Sequence, residues 1–549
     1  MKSQLPLSPS YGHVKACAAC VLCDYTASSK LSTPFAFQRF DFSDQAFQAA
    51  TRVITEGEQK LYLLEDALER ITLARDNMRR VVQQHRNLLA PVQRLTDDVL
   101  LLIFRQLPQR STEDGKHNSP WIASAVCKRW RDLSLSHPSL WVDILLEPRA
   151  EDSFQDIQLQ CRRANLQLAR TGACPLEMAI HLHAVYEISN VASALVSDTV
   201  RDLLASSHRC RALELNGQIP FDWDVVPEVL PPFKSLEMLC LEDDSWTRKP
   251  FFRNAPKLET LRLERLLLYK LLPVLCWSNI SELTLDQCSS TVADFLEVLR
   301  LLASQLDGLV INQLWPVNDE DEQHAIAEQP FQPVHLPRLR CLNISSERHP
   351  GPSASLMQSI IHHTRAPNLS CLHVSHVTED DFDALRQLIC GDESDHKSRL
   401  KKLEIEKSKM GSKLLTLLPA LGALVDLSIK SWRTTRHPDS VLDALRRRQQ
   451  STSPQHSLPE EETSEPDICP NLTKLTLSRM ALDPGLLESM VRSRAKRSTK
   501  DFSAASPRFL EVVHLDKIKL TGSSSNIQWL EDMKRDGLLN LGSKKKLAS

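Results

Sequence analysis

The chain has 549 residues, 42% hydrophobic and 25% charged, a balance typical of a soluble globular protein long enough for two or three domains. A formal net charge of −2 favours neither a nucleic-acid partner nor an anionic membrane surface. The 14 cysteines are scattered through apolar segments, which indicates free thiols in a reducing compartment. No apolar run approaches the roughly 18 to 20 residues that span a bilayer, so we expect no membrane contact and a cytoplasmic or nuclear protein.

Residues 1–42 mix serine, proline and small residues without a sustained period, and we expect them to be disordered. They contain Cys17, Cys20 and Cys23, with His13 four residues before the first cysteine. Structural zinc usually needs four ligands in two separated pairs, and the second pair is missing. We therefore interpret these cysteines as free thiols and expect no metal or other cofactor, although the sequence leaves their role open.

Residues 43–90 form a long segment that contains no proline, and its apolar residues keep a helical spacing of three and four. These residues are Leu61, Leu64, Leu68, Ile71, Met78, Val82 and Leu89, and the pattern lapses at Arg75 and His85. The simpler interpretation is an amphipathic helix that packs on its own domain. The alternative is a coiled-coil seam through which the protein dimerises.

Residues 91–145 contain a second helical pattern. Asp97 and Asp98 suit the first turn of a helix, which continues with an apolar stripe and ends at Pro108. A polar spacer follows, and a further helical stretch carries Trp121 and Trp130.

This order of residues resembles an F-box, the module that binds the Skp adaptor of a cullin-RING ubiquitin ligase. The family usually has proline where Thr96 stands, but threonine can cap the same helix. The resemblance implies a helix-in-groove contact with the adaptor and, through it, with the cullin and RING subunits. It assigns this contact to Leu95, Val99, Leu100, Ile103, Phe104, Leu107, Pro108, Val126, Trp130, Leu140 and Trp141.

From about residue 213 the chain repeats the pattern leucine-x-x-leucine-x-leucine, first at Leu236/Leu239/Leu241, then at Leu258/Leu261/Leu263, and so on to Leu510/Val513/Leu515. Alternation of period two predicts a short strand in each copy, and helical stretches such as Val292 to Gln305 separate the copies. Several copies begin with Pro-x-Leu, which indicates a recurring turn before the strand.

Strand and helix at this period resemble a leucine-rich repeat solenoid, here an irregular one. We therefore expect an α+β architecture of α-β repeats: a long N-terminal helix, an all-α F-box, a linker at 146–212 and a solenoid at 213–520. Disordered inserts are expected near 316–336 and 446–469, and a tail at 521–549.

A solenoid of this kind exposes the residues between its buried leucines, and here that row is mixed in charge and polarity. We expect it to bind an unknown protein substrate through Arg262, Glu264, Thr284, Asp286, Asn343, His373 and Glu404. No motif of an enzyme is found. The sequence thus predicts a non-catalytic substrate-recognition subunit of a ubiquitin ligase, or, as the alternative, a scaffold that binds the adaptor without ubiquitin transfer.

Overall fold

A computed structural model describes residues 43–107, 119–183, 189–217, 231–247, 251–317, 331–345, 352–377, 381–391, 398–407, 413–430, 438–446, 467–494, 509–520, 528–535, 537 and 539–541. The predicted N-terminal segment with its three cysteines lies outside these residues, as do Pro108 and most of both predicted inserts. The chain divides into two units, Met1–Thr96 and Asp97–Ser549. Within the described ranges, no helix has both the length and the apolar character needed to cross a bilayer.

The first unit contains the predicted long helix, α1, which runs from Asp44 to Leu89 over 46 residues. Asp44 in its first turn and Arg86 in its last turn suit the helix dipole. A short 3-10 turn, Pro91–Arg94, follows. The existence of this helix is confirmed.

The second unit begins with a helical module, residues 97–141. It consists of α2 (Asp97–Gln106), α3 (Ser119–Val126) and α4 (Lys128–Leu135), and ends in a 3-10 turn at Pro138–Leu140. Pro138 starts that turn, where its fixed φ angle is favourable.

In the described part of the second unit after residue 141, 14 parallel strands form one sheet, and they lie in chain order. They are β1 (Asp143–Leu146), β2 (Leu176–His181), β3 (Cys210–Asn216), β4 (Met238–Glu242), β5 (Thr260–Glu264), β6 (Glu282–Asp286), β8 (Gly308–Asn312), β11 (Cys341–Ser345), β13 (Cys371–Ser375), β14 (Lys402–Glu406), β15 (Asp426–Lys430), β16 (Lys474–Ser478), β18 (Val512–Asp516) and β20 (Leu539–Leu541). Short strands form three further parallel pairs: β7 (Ser289–Ser290) with β9 (Trp315–Pro316), β10 (Val334–His335) with β12 (Thr364–Arg365), and β17 (Ala481–Leu482) with β19 (Lys519–Leu520).

Parallel strands need crossover connections, and helices supply many of them here. These helices are α5 (Phe154–Arg170), α6 (Asn190–Ala205), α7 (Leu268–Leu271), α8 (Val292–Leu302), α9 (Pro352–His362), α10 (Asp381–Cys390), α11 (Lys413–Leu417), α12 (Pro438–Leu445), α13 (Pro484–Arg494) and α14 (Gln528–Arg535).

The sheet is longer than the sequence pattern predicts. The segment interpreted as a linker, 146–212, contains β2 and the first three residues of β3, and these strands pair with β1 and β4 in the same sheet. The predicted tail likewise contributes α14 and β20. The sequence itself indicates a strand at Leu176 to Leu182, where β2 lies, but Leu-Glu-Met-Ala-Ile-His lacks the spaced leucines of the other copies and so is not assigned to the repeat.

The repeated leucines form the core. Every residue of the triplets from Leu236/Leu239/Leu241 to Leu510/Val513/Leu515 is 5% exposed or less. Burial of one such side chain contributes about 1.5–3 kcal/mol, so the repeat accounts for much of the stability of the sheet. The predicted turns are also present: the backbone N–H of Leu258 donates to the carbonyl of Ala255, and that of Leu369 to Ala366.

A second repeat appears in the backbone just after the strands. The residue that follows the strand has a positive φ angle at Gly217, Asp243, Arg265, Gln287, Gln313, His376, Lys407, Arg479 and Lys517. The N–H of Arg265 donates to the carbonyl of Asp286 on the next strand, and Gln287 does the same to Asn312. The residue with positive φ therefore adds one more interstrand hydrogen bond beyond the end of its strand, at the point where the chain leaves the sheet.

Candidate protein-binding surfaces

Helix α2 has two apolar faces. Leu100, Leu101 and Phe104 point into the core and are 9% exposed or less. On the other face, Val99 is 41%, Leu102 57% and Ile103 38% exposed. The sequence pattern predicts one apolar stripe on this helix. Helical spacing, however, places residues 100, 101 and 104 on one face and residues 99, 102 and 103 on the opposite face.

The other helices of the module add to its exposed apolar side chains. Ile122 and Val126 on α3 are 44% and 56% exposed, and Leu135 on α4 is 43% exposed. We call Val99, Leu102, Ile103, Ile122, Val126 and Leu135 the exposed apolar set of the module. Isolated apolar side chains are common on surfaces, and here six of them lie on three short helices.

Contacts within the module fix these helices relative to one another. The ring of Trp130 on α4 packs against Phe104 on α2, with centroids 4.9 Å apart. The guanidinium Nη2 of Arg129 lies 2.6 Å from Oδ1 of Asp97 at the start of α2. An aromatic contact and an ion pair thus join the same two helices.

Trp141, the last predicted adaptor contact, instead attaches the module to helix α5. Trp141 is fully buried, and its indole Nε1 donates to the carbonyl of Ser134 at 2.8 Å. The guanidinium of Arg170 lies 4.4 Å from the ring centroid of Trp141 and 4.6 Å from that of Trp121. Leu140 is 3% exposed.

The predicted adaptor-binding residues are therefore divided. Leu100, Phe104, Leu140 and Trp141 are buried in the chain's own core, so the prediction of a direct contact is corrected for these four. Val99, Ile103 and Val126 are exposed, while Leu95, Leu107 and Trp130 are half-buried. A sequence pattern identifies an apolar residue but not the side of the helix that its own domain covers.

On the sheet, strand pairing places the alternate, non-core residues in one row. Glu214 pairs with Cys240, Cys240 with Arg262, and the row continues through consecutive strands. Its members are Glu214, Cys240, Arg262, Thr284, Val310, Asn343, His373, Glu404, Ser428, Thr476, His514 and Asn540. We call it the polar row.

Strands β4 to β6 carry acidic residues beside the polar row, toward the β1 side of the sheet, and we call this place the acidic end. Glu242, Glu264 and Asp286 occupy one register on adjacent strands. Nη2 of Arg262 lies 3.8 Å from Glu264 and 4.0 Å from Asp286, and Arg265 forms an ion pair with Glu242. Burial raises the pKa of the Glu264 carboxyl, and the charge of Asp286 raises it further.

Two histidines adjoin this acidic end. Nε2 of His181 lies 3.1 Å from Oε1 of Glu214, and Nε2 of His183 lies 3.7 Å from Oε2 of Glu242. Burial, with the charges of His181 and Arg265, lowers the pKa of His183. Glu242 was not among the predicted binding residues, although it occupies the same position in its repeat as Glu264.

The middle of the row borders a depression of about 410 Å³, lined by residues including Thr284, Val310, Asn343, His373, Lys402 and Glu404. Nδ1 of His373 and Nζ of Lys402 lie 3.5 and 3.6 Å from Oε2 of Glu404, and Lys430 also pairs with this carboxylate. Burial opposes ionisation of Glu404, but the hydrogen bond and charge of Lys430, with His373, outweigh it and lower the pKa. Among the described residues, Oδ1 of Asn343 is buried without a hydrogen-bond partner.

The structure therefore brings the predicted substrate-binding residues together in two places. Arg262, Glu264, Thr284 and Asp286 share the neighbouring strands β5 and β6. Asn343, His373 and Glu404 share β11, β13 and β14. Val310 on β8 lies in the row between the two places.

Within the described part of the chain, no group of three or more histidine, cysteine or acidic side chains is placed to hold a metal ion. Burial raises the pKa of the Cys240 thiol to about 12, so this member of the polar row stays protonated at neutral pH and is a poor nucleophile.

Comparison with protein-family models finds no match, and comparison with curated proteins finds none either.

Proposed function

We propose that this chain is a substrate-recognition subunit of an SCF-type ubiquitin ligase acting in the cytoplasm or nucleus. In this proposal the helical module is an F-box that binds a Skp adaptor, and the parallel sheet is an irregular leucine-rich repeat solenoid that binds a protein substrate. The observation that carries the proposal is the combination of both surfaces in one unit of the chain.

The exposed apolar set supports the adaptor contact. A helix-in-groove interface needs apolar side chains that are exposed in the free protein and held at fixed spacing. Val99, Ile103 and Val126 satisfy both conditions, and the Trp130–Phe104 and Arg129–Asp97 contacts fix the helices that carry them.

The polar row supports the substrate contact. Its side chains stand on strands whose opposite face is packed with leucines, so the surface is formed before a partner arrives. The acidic end suits a basic segment of a substrate.

The mechanism that follows is proximity. The adaptor, cullin and RING subunits bring the charged conjugating enzyme, and this chain holds a substrate lysine near the thioester. Such positioning raises the effective concentration of the lysine and needs no catalytic residue from this chain.

The test is a reconstituted ubiquitin-transfer reaction with proteins that the chain captures through the polar row. Wild-type chain should support their modification, and Ile103→Asp should abolish modification while capture persists. Leu159→Asp is the matched control, because Leu159 on α5 is 46% exposed and lies outside the module. Adaptor binding with no ubiquitin transfer to any captured protein would favour the scaffold alternative.

A further inference from the structure

Helix α1 exposes large apolar side chains along its length: Phe47, Ile54, Leu61, Leu64, Leu68, Ile71, Met78, Val82 and Leu89 are each 42% exposed or more. Successive residues of this group are three, four or seven positions apart along the chain. They therefore occupy the a and d positions of a heptad repeat. With Ala50 they form one seam, interrupted at Gly57, Arg75 and His85. A helix that leaves such a seam in water lacks the partner that buries it.

The charges of α1 identify the partner. In residues 44–66, Asp44, Glu56, Glu58, Glu65 and Asp66 outnumber Arg52 and Lys60, giving a net charge of −3. In residues 67–89, Arg70, Arg75, Arg79, Arg80 and Arg86 outnumber Glu69 and Asp76, giving +3. Two copies side by side repel when parallel and attract when antiparallel, because only the antiparallel pair places each acidic half beside a basic half.

The three interruptions agree with the same orientation. In a parallel pair each seam residue faces its own copy, so Arg75 would face Arg75 and Gly57 would leave a gap opposite Gly57. In an antiparallel pair with full overlap, a positions face d positions, and Arg75 of one copy faces Gly57 of the other. A Cβ built on Gly57 would meet nothing within 4 Å, so there is room beside it for the arginine.

The same antiparallel register also pairs the other seam residues of the two copies. Ile54 faces Met78, Leu61 faces Ile71, and Leu64 faces Leu68, so the centre of the seam is entirely aliphatic. Phe47 faces His85 at each end. We propose that α1 is the dimerisation element of this protein and forms an antiparallel two-stranded coiled coil with α1 of a second copy. This proposal is independent of the F-box proposal.

The first test is the mass of the full chain by sedimentation equilibrium at micromolar concentrations. We expect twice the chain mass of 62.1 kDa. Leu64→Asp should weaken association by at least about 100-fold, because it buries a carboxylate in the seam. Leu63→Asp is the matched control: Leu63 is adjacent and 50% exposed but lies outside the seam, so this variant should remain dimeric. A monomeric wild type, or equal effects of the two variants, would overturn the proposal.

The second test reads the orientation. Phe47→p-benzoylphenylalanine in the full-length dimer, irradiated and digested, should cross-link to the peptide that contains His85. On one straight helix these residues are about 57 Å apart at about 1.5 Å per residue, so such a link joins two copies. A link to residues near Phe47 of the second copy, or the absence of any link to α1, would overturn the antiparallel arrangement.

Discussion

The side-chain amide of Asn471 donates to the carbonyl of Gly422 at 2.9 Å and so ties the turn before β16 to the turn before β15. Asn368, which precedes β13 and so lies three strands earlier in the sheet, makes the equivalent bond to Pro337 at 2.7 Å. Each asparagine directly precedes the first leucine of its triplet, and each acceptor lies two residues before the first leucine of the preceding triplet. Neighbouring repeats are therefore joined at their turns as well as through their leucines.

This bond should contribute measurably to stability. Asn471→Ala should lower the free energy of unfolding by about 1 kcal/mol, because a partly buried carbonyl loses its donor. Asn471→Asp should lower the free energy of unfolding by a similar amount, since a carboxylate cannot donate a hydrogen bond to the carbonyl of Gly422. Urea denaturation of the full chain measures both changes, and an unchanged midpoint for both variants would mean that the bond is not a structural link.

The two faces of α2 should separate folding from binding. Leu100→Asp places a carboxylate in the core and should lower the free energy of unfolding by about 3 kcal/mol or more. Ile103→Asp, at a residue 38% exposed, should change it by less than about 1 kcal/mol. Thermal unfolding measures both, and equal destabilisation would contradict the assignment of the two faces.

The left-handed residues after the strands should be sensitive to side-chain shape. Gln287 has a φ angle of 49°, which a β-branched residue adopts only with strain. Gln287→Val should lower the free energy of unfolding by about 1–2 kcal/mol, whereas Gln287→Gly should not lower it. Denaturant titration distinguishes them, and a valine variant as stable as wild type would show that the backbone does not need this conformation.

The carboxylate of Glu404 should stabilise the fold in a pH-dependent manner. Its pKa in the folded chain lies below the ordinary value of 4.5, so its contribution is complete above that pH and is lost as the pH falls through the lowered pKa. Glu404→Gln should therefore destabilise the protein at pH 7, and the difference should shrink below pH 4.5. A difference that is constant with pH would contradict the Lys430 and His373 contacts as its cause.

The strongly periodic parts of the fold were predictable, because three spaced leucines define both a strand and its buried face. Copies with fewer leucines, such as β2, were not assigned to the repeat, because a strand without the spaced leucines does not show which sheet it joins. The polar row was predictable from the alternation of side chains along each strand, which places the residues between the leucines on the opposite face. The division of α2 into a buried and an exposed face was not predictable, because burial of Leu100 and exposure of Ile103 depend on where the helices α3 and α4 pack, which local sequence does not encode.

The measurement that tests the central claim most directly is the affinity of the full chain for a purified Skp adaptor, by calorimetry, with Ile103→Asp and Leu159→Asp alongside. The proposed F-box predicts binding by the wild type and by Leu159→Asp, and a loss of at least about 100-fold for Ile103→Asp, since an unpaired carboxylate would enter an apolar groove. No binding by the folded wild type, or equal binding by Ile103→Asp, would contradict it.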